Sequence, residues 1–317
     1  MNSNTELPKV TIGMPVHNAE KFLHNSLDCL LNQTYNNIEI IISDDASTDS
    51  TPKICREYAS KDSRIKYTYH EENLGLKLYG GITGLPNFNF VLKQAKSKYF
   101  MWAEADDKWE PTFIEKNVEI LEKNQKFVGS ISKVSWYGKK IVPRKSSSLK
   151  NFLRFRKSYD IFEGYEHVLP TSETYDVKAG KYLRFNSGTS IFAIYKTKIF
   201  QKCIIEKPFA GWDLAIILKV LQFGDINVLD EELMQRYVGG ASSKSILFSM
   251  RTDYGGLLGS LFLYTPLTVW CLKNLGTKIF FKNLDWFFVL NGYGWSMVLP
   301  EIPMLLKHVL FKQKPKE

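Results

Sequence analysis

Asn37-Ile38-Glu39-Ile40-Ile41-Ile42-Ser43-Asp44-Asp45-Ala46-Ser47-Thr48-Asp49-Ser50-Thr51 is the stretch on which the fold turns. Ile38 to Ile42 is short, rich in β-branched residues and almost wholly apolar, the pattern of a strand buried on both faces of a parallel sheet. The run stops at a cluster of short polar side chains, Ser43 to Asp49. Turn and cap chemistry accounts for part of that cluster. Two adjacent carboxylates at the carboxyl end of a buried strand exceed what a turn needs. In open α/β sheets that edge is where ligands bind.

Upstream, Val10 to Val16 reads as a strand that enters a loop at His17-Asn18. Leu23, Leu27, Leu30 and Leu31 then mark one helix face between Glu20 and Asn32. Downstream, Thr51 to Ser60 reads as a helix with Pro52 in its first turn. Ile65 to Tyr69 reads as a third strand, ending at His70-Glu71-Glu72-Asn73-Leu74-Gly75. This alternation implies right-handed βαβ crossovers and a parallel sheet. Pro86 to Lys96 follows as a helix with Phe88, Val91, Leu92 and Ala95 on its inner side. The apolar run beginning at Tyr99 ends in Glu104-Ala105-Asp106-Asp107, a second acidic cluster at the end of a strand. Pro111 then opens a helix with Ile114, Val118 and Leu121 inward.

Neither GxGxxG nor GxxxxGK[ST] occurs, so a bound nucleotide must be held by carboxylates and loops. Carboxylates gathered on one sheet edge repel one another unless a cation neutralises them. Mg2+ and Mn2+ take one or two carboxylates together with substrate phosphates. The residues alone thus point to a site for a metal and a nucleotide diphosphate.

At 317 residues, with 44% hydrophobic and 24% charged residues, the chain is of ordinary globular composition. A net charge of +9 favours anionic partners. Cys29, Cys55, Cys203 and Cys271 show no CxxC or metal-ligand spacing, which suits reduced thiols in a cytosolic protein. Met1 to Pro8 lacks the apolar core of a secretory signal, so a cytoplasmic location is expected.

Five segments resemble, in order, the signature of family 2 glycosyltransferases: Pro15-Val16-His17-Asn18-Ala19-Glu20, Asn32-Gln33-Thr34-Tyr35, Asp44-Asp45-Ala46-Ser47-Thr48-Asp49, Asn73-Leu74-Gly75 and Glu104-Ala105-Asp106-Asp107. The resemblance is strong from about residue 8 to 125 and weaker to about 245. It implies a GT-A fold, a Rossmann-like α/β architecture with a mixed, mostly parallel sheet flanked by helices. It also implies inverting transfer from a nucleotide sugar, commonly a UDP sugar. By the resemblance, Pro15, Val16, His17, Asn18 and Glu20 line the nucleotide, with Ser47, Asn73 and Asp107 nearby, and Asp45 accepts the imide hydrogen of the base. Asp106 stands at the metal-ligand position. Glu104 replaces the family's commoner first Asp, and His17 its more usual Tyr.

In the second half, Phe127 to Trp136 reads as a strand and Gly188 to Tyr195 as another apolar run. Lys139 to Lys157 carries eight basic residues and no acidic one. It reads either as a solvated loop or as a contact for an anionic acceptor such as a lipid-linked pyrophosphate. No nucleic-acid-binding pattern accompanies the charge. Phe209-Ala210-Gly211-Trp212-Asp213 precedes a helix with Leu214, Ile217, Leu218 and Leu221 inward. Asp213 there is either a helix cap or, by the resemblance, the catalytic base. Trp212 stands where the family's motif usually has Glu and is an acceptor-side candidate. Arg236-Tyr237, followed by Gly239-Gly240-Ala241-Ser242, resembles a closing loop in which Arg236 contacts the departing diphosphate.

Residues 1–243 are expected to form the catalytic domain and residues 244–317 a basic, aromatic helical extension, with nine Lys and Arg against four acidic residues. Its apolar runs fall short of the roughly 18 to 20 clean residues a spanning helix requires. They suit helices lying on an anionic membrane surface, or packing on the catalytic domain or a second subunit. The expected activity is sugar transfer to a glycan or lipid-linked acceptor in polysaccharide or glycoconjugate synthesis, with Mg2+ or Mn2+ bound. The rival readings are a nucleotidyltransferase of similar fold and a catalytically silent membrane- or glycan-binding protein.

Overall fold

Strand β1 (Val10–Val16) lies between two parallel neighbours, β2 (Ile38–Asp45) and β4 (Tyr99–Trp102), and β3 (Ile65–His70) extends the sheet beyond β2. The structure is a computed structural model that describes residues 7–79, 84–138, 165–166, 168–185, 188–238 and 262–299. The Lys139–Lys157 run, Gly239 to Ser242, and residues 244–261 and 300–317 lie outside the described residues.

The crossovers are helices α1 (Leu23–Leu31), α2 (Thr51–Lys61), and α3 and α4 (Leu74–Tyr79, Leu85–Gln94). Leu23, Leu27 and Leu30 of α1 are buried to 0% exposure, while the fourth expected residue, Leu31, is only partly covered. Each fully buried leucine contributes roughly 1.5–3 kcal/mol.

β2 runs three residues beyond the expected stop at Ile42, and all eight of its residues are buried. The buried acids are tolerated because their oxygens are satisfied. Asp44 accepts the Ser47 N–H at 3.0 Å and the Tyr67 hydroxyl at 3.0 Å. Asp45 accepts the Leu74 N–H at 2.6 Å and the Asn73 side-chain amide at 2.7 Å.

Past β4 the chain forms β5 (Lys108–Trp109), α5 (Phe113–Lys123), β6 (Phe127–Gly138) and β7 (Tyr165–Glu166). Helix α6 (Tyr175–Phe185) leads to a 3-10 turn, Gly188–Phe192, and to β8 (Ile194–Lys196). The apolar run at 188–195 is therefore a tight turn plus a short strand. Helices α7 (Thr197–Lys202) and α8 (Trp212–Val220) precede the long β9 (Asp225–Val238). The sheet is mixed, in the order β3-β2-β1-β4-β8-β6-β9-β5 with β7 on β6. Its antiparallel pairs flank β8, β7 and β5.

Three helices close the described chain: α9 (Thr265–Asn274), α10 (Thr277–Lys282) and α11 (Leu284–Val298). Leu267 and Cys271 sit in the same core as the central sheet. Arg184 grips Asp285 with two hydrogen bonds of 2.9 and 2.8 Å. All four cysteines are free thiols, three of them buried. Among the described residues no helix is long and apolar enough to cross a membrane.

Candidate active site

The carboxyl ends of β1, β2 and β4 share one edge of the sheet, where the register pairs Val16 with Asp44 and Gly13 with Trp102. Two loops knit together there. Asn18 donates its N–H to Ser47 Oγ at 2.8 Å, and its side-chain oxygen accepts the Thr48 N–H at 2.8 Å. Glu20 accepts the Ser50 N–H at 2.9 Å, and His17 Nδ1 lies 2.7 Å from the Asp45 carbonyl. Asn18 (φ 49°) and Ala46 (φ 61°) both take the left-handed backbone conformation. That conformation is tolerated by Asn and costly for Ala. Pro15, Val16, His17, Asn18, Glu20, Asp45, Ser47 and Asn73 thus converge, but Glu20, Ser47 and Asn73 spend polar atoms on the loops themselves. Burial pushes the Asp45 carboxyl above its usual range, against the opposing Leu74 N–H.

After β4, the turn Glu104-Ala105-Asp106-Asp107 is held by its backbone. Ala103 donates to the Gly13 carbonyl at 3.0 Å, Ser26 Oγ to the Glu104 carbonyl at 3.1 Å, and the Tyr137 hydroxyl to the Asp106 carbonyl. Pairing of Lys108 with Gln235 and Trp109 with Met234 fastens the turn's exit to β9. The Tyr237 N–H can then donate to Asp107 Oδ1 at 3.2 Å. With the backbone occupied, the carboxyls of Glu104, Asp106 and Asp107 converge until their ligand atoms lie within 4.8 Å of one another.

Such crowding is electrostatically costly. Burial, then the Glu104 charge, pushes Asp106 up to about 6, and the same causes drive Asp107 well above its usual range. Asp107 is 1% exposed, and its Oδ2 has no hydrogen-bond partner among the described residues. Three hard oxygen donors, crowded and only partly offset by the Arg236 guanidinium, fit Mg2+ or Mn2+.

On the far wall, Gly211 (φ 85°) starts α8. Its missing side chain also leaves room for Leu267 of α9, whose Cδ2 would stand 2.8 Å from a Cβ there. Gly211 is thus the N-cap, and Asp213 lies in the first turn with its carboxyl against Gly188. Burial raises the Asp213 carboxyl above its ordinary value, with the Leu214 N–H and Arg236 opposing. A cavity of about 300 Å3 opens between these groups, lined by Glu104, Thr189, Trp212, Asp213, Arg236 and the rings of Phe88 and Phe192 among others. Trp212 packs 5.8 Å from Phe88 and 6.4 Å from Trp102, centroid to centroid.

Sequence reasoning missed Gly188, Thr189 and Phe88 as site residues. Phe88 reads as one more apolar residue on a helix face, and only the tertiary fold turns its ring to the cavity. The expected nucleotide loops do not line this cavity; they lie at the same sheet edge.

The chain belongs to glycosyl transferase family 2, whose family model matches residues 11–187. Among curated relatives, the glycosyltransferase GlyA of Streptococcus pneumoniae is 28% identical over 257 residues, 81% of this chain and 30% of that protein. A glycosyltransferase of Haemophilus influenzae is 38% identical over 117 residues, 37% of this chain and 34% of that protein. The chain spans about a third of the length of both. In fold it is similar to residues 1–349 of S. aureus TarS, solved in complex with UDP-GlcNAc. The TM-score there is 0.63 at 19% identity, over 93% of this chain and 78% of that one. It is also similar to the mannosyltransferase PcManGT of Pyrobaculum calidifontis, solved with GDP-Man and Mn2+. That TM-score is 0.54 at 14% identity, over 95% of this chain and 75% of that one. The architecture is the GT-A fold.

Proposed function

We propose that the protein is an inverting glycosyltransferase that moves a sugar from a nucleotide diphosphate sugar, UDP-linked by the family's preference, to a hydroxyl of a glycan or lipid-linked acceptor. Polysaccharide or glycoconjugate synthesis is the setting that suits such an acceptor. The observation carrying this reading is one cavity lined by both Asp213 and Glu104 of the acidic turn. Inverting displacement needs a base on the side of the sugar opposite the leaving group.

Asp213 takes the acceptor hydroxyl proton while that oxygen attacks the anomeric carbon. The bond from that carbon to the diphosphate oxygen breaks, and its electron pair leaves on the phosphate. No covalent enzyme intermediate forms. The raised affinity of the Asp213 carboxyl for a proton makes it a better base than an exposed Asp. Asp106, with Glu104 and Asp107, would hold Mg2+ or Mn2+, and a bound divalent cation neutralises charge developing on the leaving diphosphate. Pro15 to Glu20, Asp45, Ser47 and Asn73 are assigned to the nucleoside, Arg236 to the diphosphate, and Trp212 to stacking on the acceptor.

Residues 244–317 are assigned to an extension lying on the cytoplasmic face of an anionic membrane. Exposed Phe281 (63%), next in sequence to Lys282, and exposed Phe288 (72%) support that assignment.

Incubation with a panel of nucleotide sugars and Mn2+, read as release of nucleoside diphosphate, tests the activity. Release with at least one donor is expected. Folded protein that hydrolyses and transfers none of them would instead be a silent binding protein.

A further inference from the structure

Arg236 lines the same cavity as Glu104 of the acidic turn and Asp213. The β6–β9 pairing sets it opposite Trp136. Its Nη2 donates to Glu104 Oε2 at 2.8 Å and its Nη1 to Thr189 Oγ1 at 3.1 Å, while Nε lies 3.6 Å from Asp107 Oδ2. The guanidinium carbon sits 4.6 Å from the Phe192 ring centroid and 5.2 Å from that of Trp136. The side chains of Arg236 and Glu104 are 19% and 33% exposed, so water only partly screens the pair.

These contacts use the very groups a divalent cation needs. Glu104, Asp106 and Asp107 bring their oxygens within 4.8 Å of one another, and Arg236 already occupies one oxygen of Glu104. A cation seated among those oxygens would lie within a few ångströms of the guanidinium and be repelled by it. Either positive group satisfies Glu104; both together crowd it. The guanidinium fork also matches the geometry of phosphate oxygens, and Arg236 lines the cavity.

We propose that Arg236 is the resident counter-cation of the acidic turn. It competes with the divalent cation for Glu104 in the donor-free protein, and turns to the diphosphate once displaced. The proposal rests on the reading of Glu104, Asp106 and Asp107 as a metal site. Its consequence is a coupling. Metal alone must break the Arg236–Glu104 pair, whereas metal with a diphosphate gives the released guanidinium a new anionic partner. Each ligand therefore favours the other, reciprocally.

The test measures Mn2+ affinity from the free-ion paramagnetic resonance signal in the absence of nucleotide, and again with UDP and with GDP. Wild type should bind Mn2+ weakly alone and more tightly with a nucleotide. Arg236→Gln should bind Mn2+ alone about tenfold more tightly and lose most of the nucleotide enhancement. Arg236→Lys keeps the charge and the stem between the rings but holds Glu104 through a single point donor. It should fall between the two, and it carries the test if Arg236→Gln does not fold. A variant that melts like wild type and binds nucleotide-free Mn2+ equally or more weakly overturns the proposal. Failure of the metal reading has its own signature: Mn2+ binding that Asp106→Asn leaves unchanged.

Discussion

The carboxyl of Asp213 rests against Gly188: a Cβ built on Gly188 would stand 2.6 Å from Asp213 Oδ2. Gly188 is not in a left-handed conformation, so its role is to leave space. Gly188→Ala is expected to push the carboxylate off its line to the acceptor and lower kcat on the order of a hundredfold, the scale of an ångström-sized misplacement. Donor affinity, read separately by calorimetry, should stay within a few-fold of wild type. Unchanged kcat in a folded variant would show that the contact does not set the geometry.

Asp213 also links stability to pH. Its carboxyl is raised by burial from an ordinary value of 3.8. Between that value and the raised one, the folded state holds more protons than the unfolded chain, so stability falls as pH rises through the window. Asp213→Asn removes this half-buried charge. The variant should melt above wild type at neutral pH, and the gap should close as pH falls toward 3.8. A lower Tm at neutral pH would mean that the charge is stabilising.

The opposite sign applies at Asp225. Burial pushes this carboxyl up, but Lys178 at 2.9 Å and Lys126 at 3.0 Å outweigh it and hold it below its usual value. The stability it contributes is present above the ordinary value of 3.8 and is lost as pH falls through the depressed one. Lys178 and Asp225 join α6 to the start of β9, with side chains 7% and 4% exposed. Lys178→Met should cost about 3 kcal/mol in denaturant unfolding, since it strands a buried carboxylate with only one remaining cation. A loss within error would put the stabilising interaction on Lys126.

How much of this was legible in the sequence depended on how local the cause was. Ile38 to Ile42 and the leucines of α1 announce strand and helix through their own periodicity. The extension of β2 through Asp44 and Asp45 does not show, because Tyr67, Asn73 and Leu74 satisfy those carboxylates from other elements. Asp106 and Asp213 could be singled out by their neighbours in the chain. The grip of Arg236 on Glu104 could not, since 132 residues separate the partners. Gly188 and Thr189 carry no local signal either: a small residue after Ser187 is an ordinary loop. The C-terminal segment left two readings open, and residues 262–299 pack on α6 and α8 while still exposing Phe281 and Phe288.

Those exposed rings make the membrane assignment testable. The 317-residue chain should float with anionic liposomes at low salt and remain in the soluble fraction with neutral ones. Phe281→Ser combined with Phe288→Ser should weaken flotation without lowering Tm, because neither ring is buried. Equal recovery with and without liposomes would contradict the membrane assignment and favour packing on the catalytic domain or a second subunit.

Sugar transfer by folded Asp213→Asn and Asp106→Ala, run with the donor that the panel identifies, is the most direct test of the account. Asp213→Asn should lose about a thousandfold in kcat while binding donor normally, as expected for a removed general base. Asp106→Ala should lose both turnover and the Mn2+ dependence of donor binding. Turnover near wild type in either variant would contradict the role assigned to that residue.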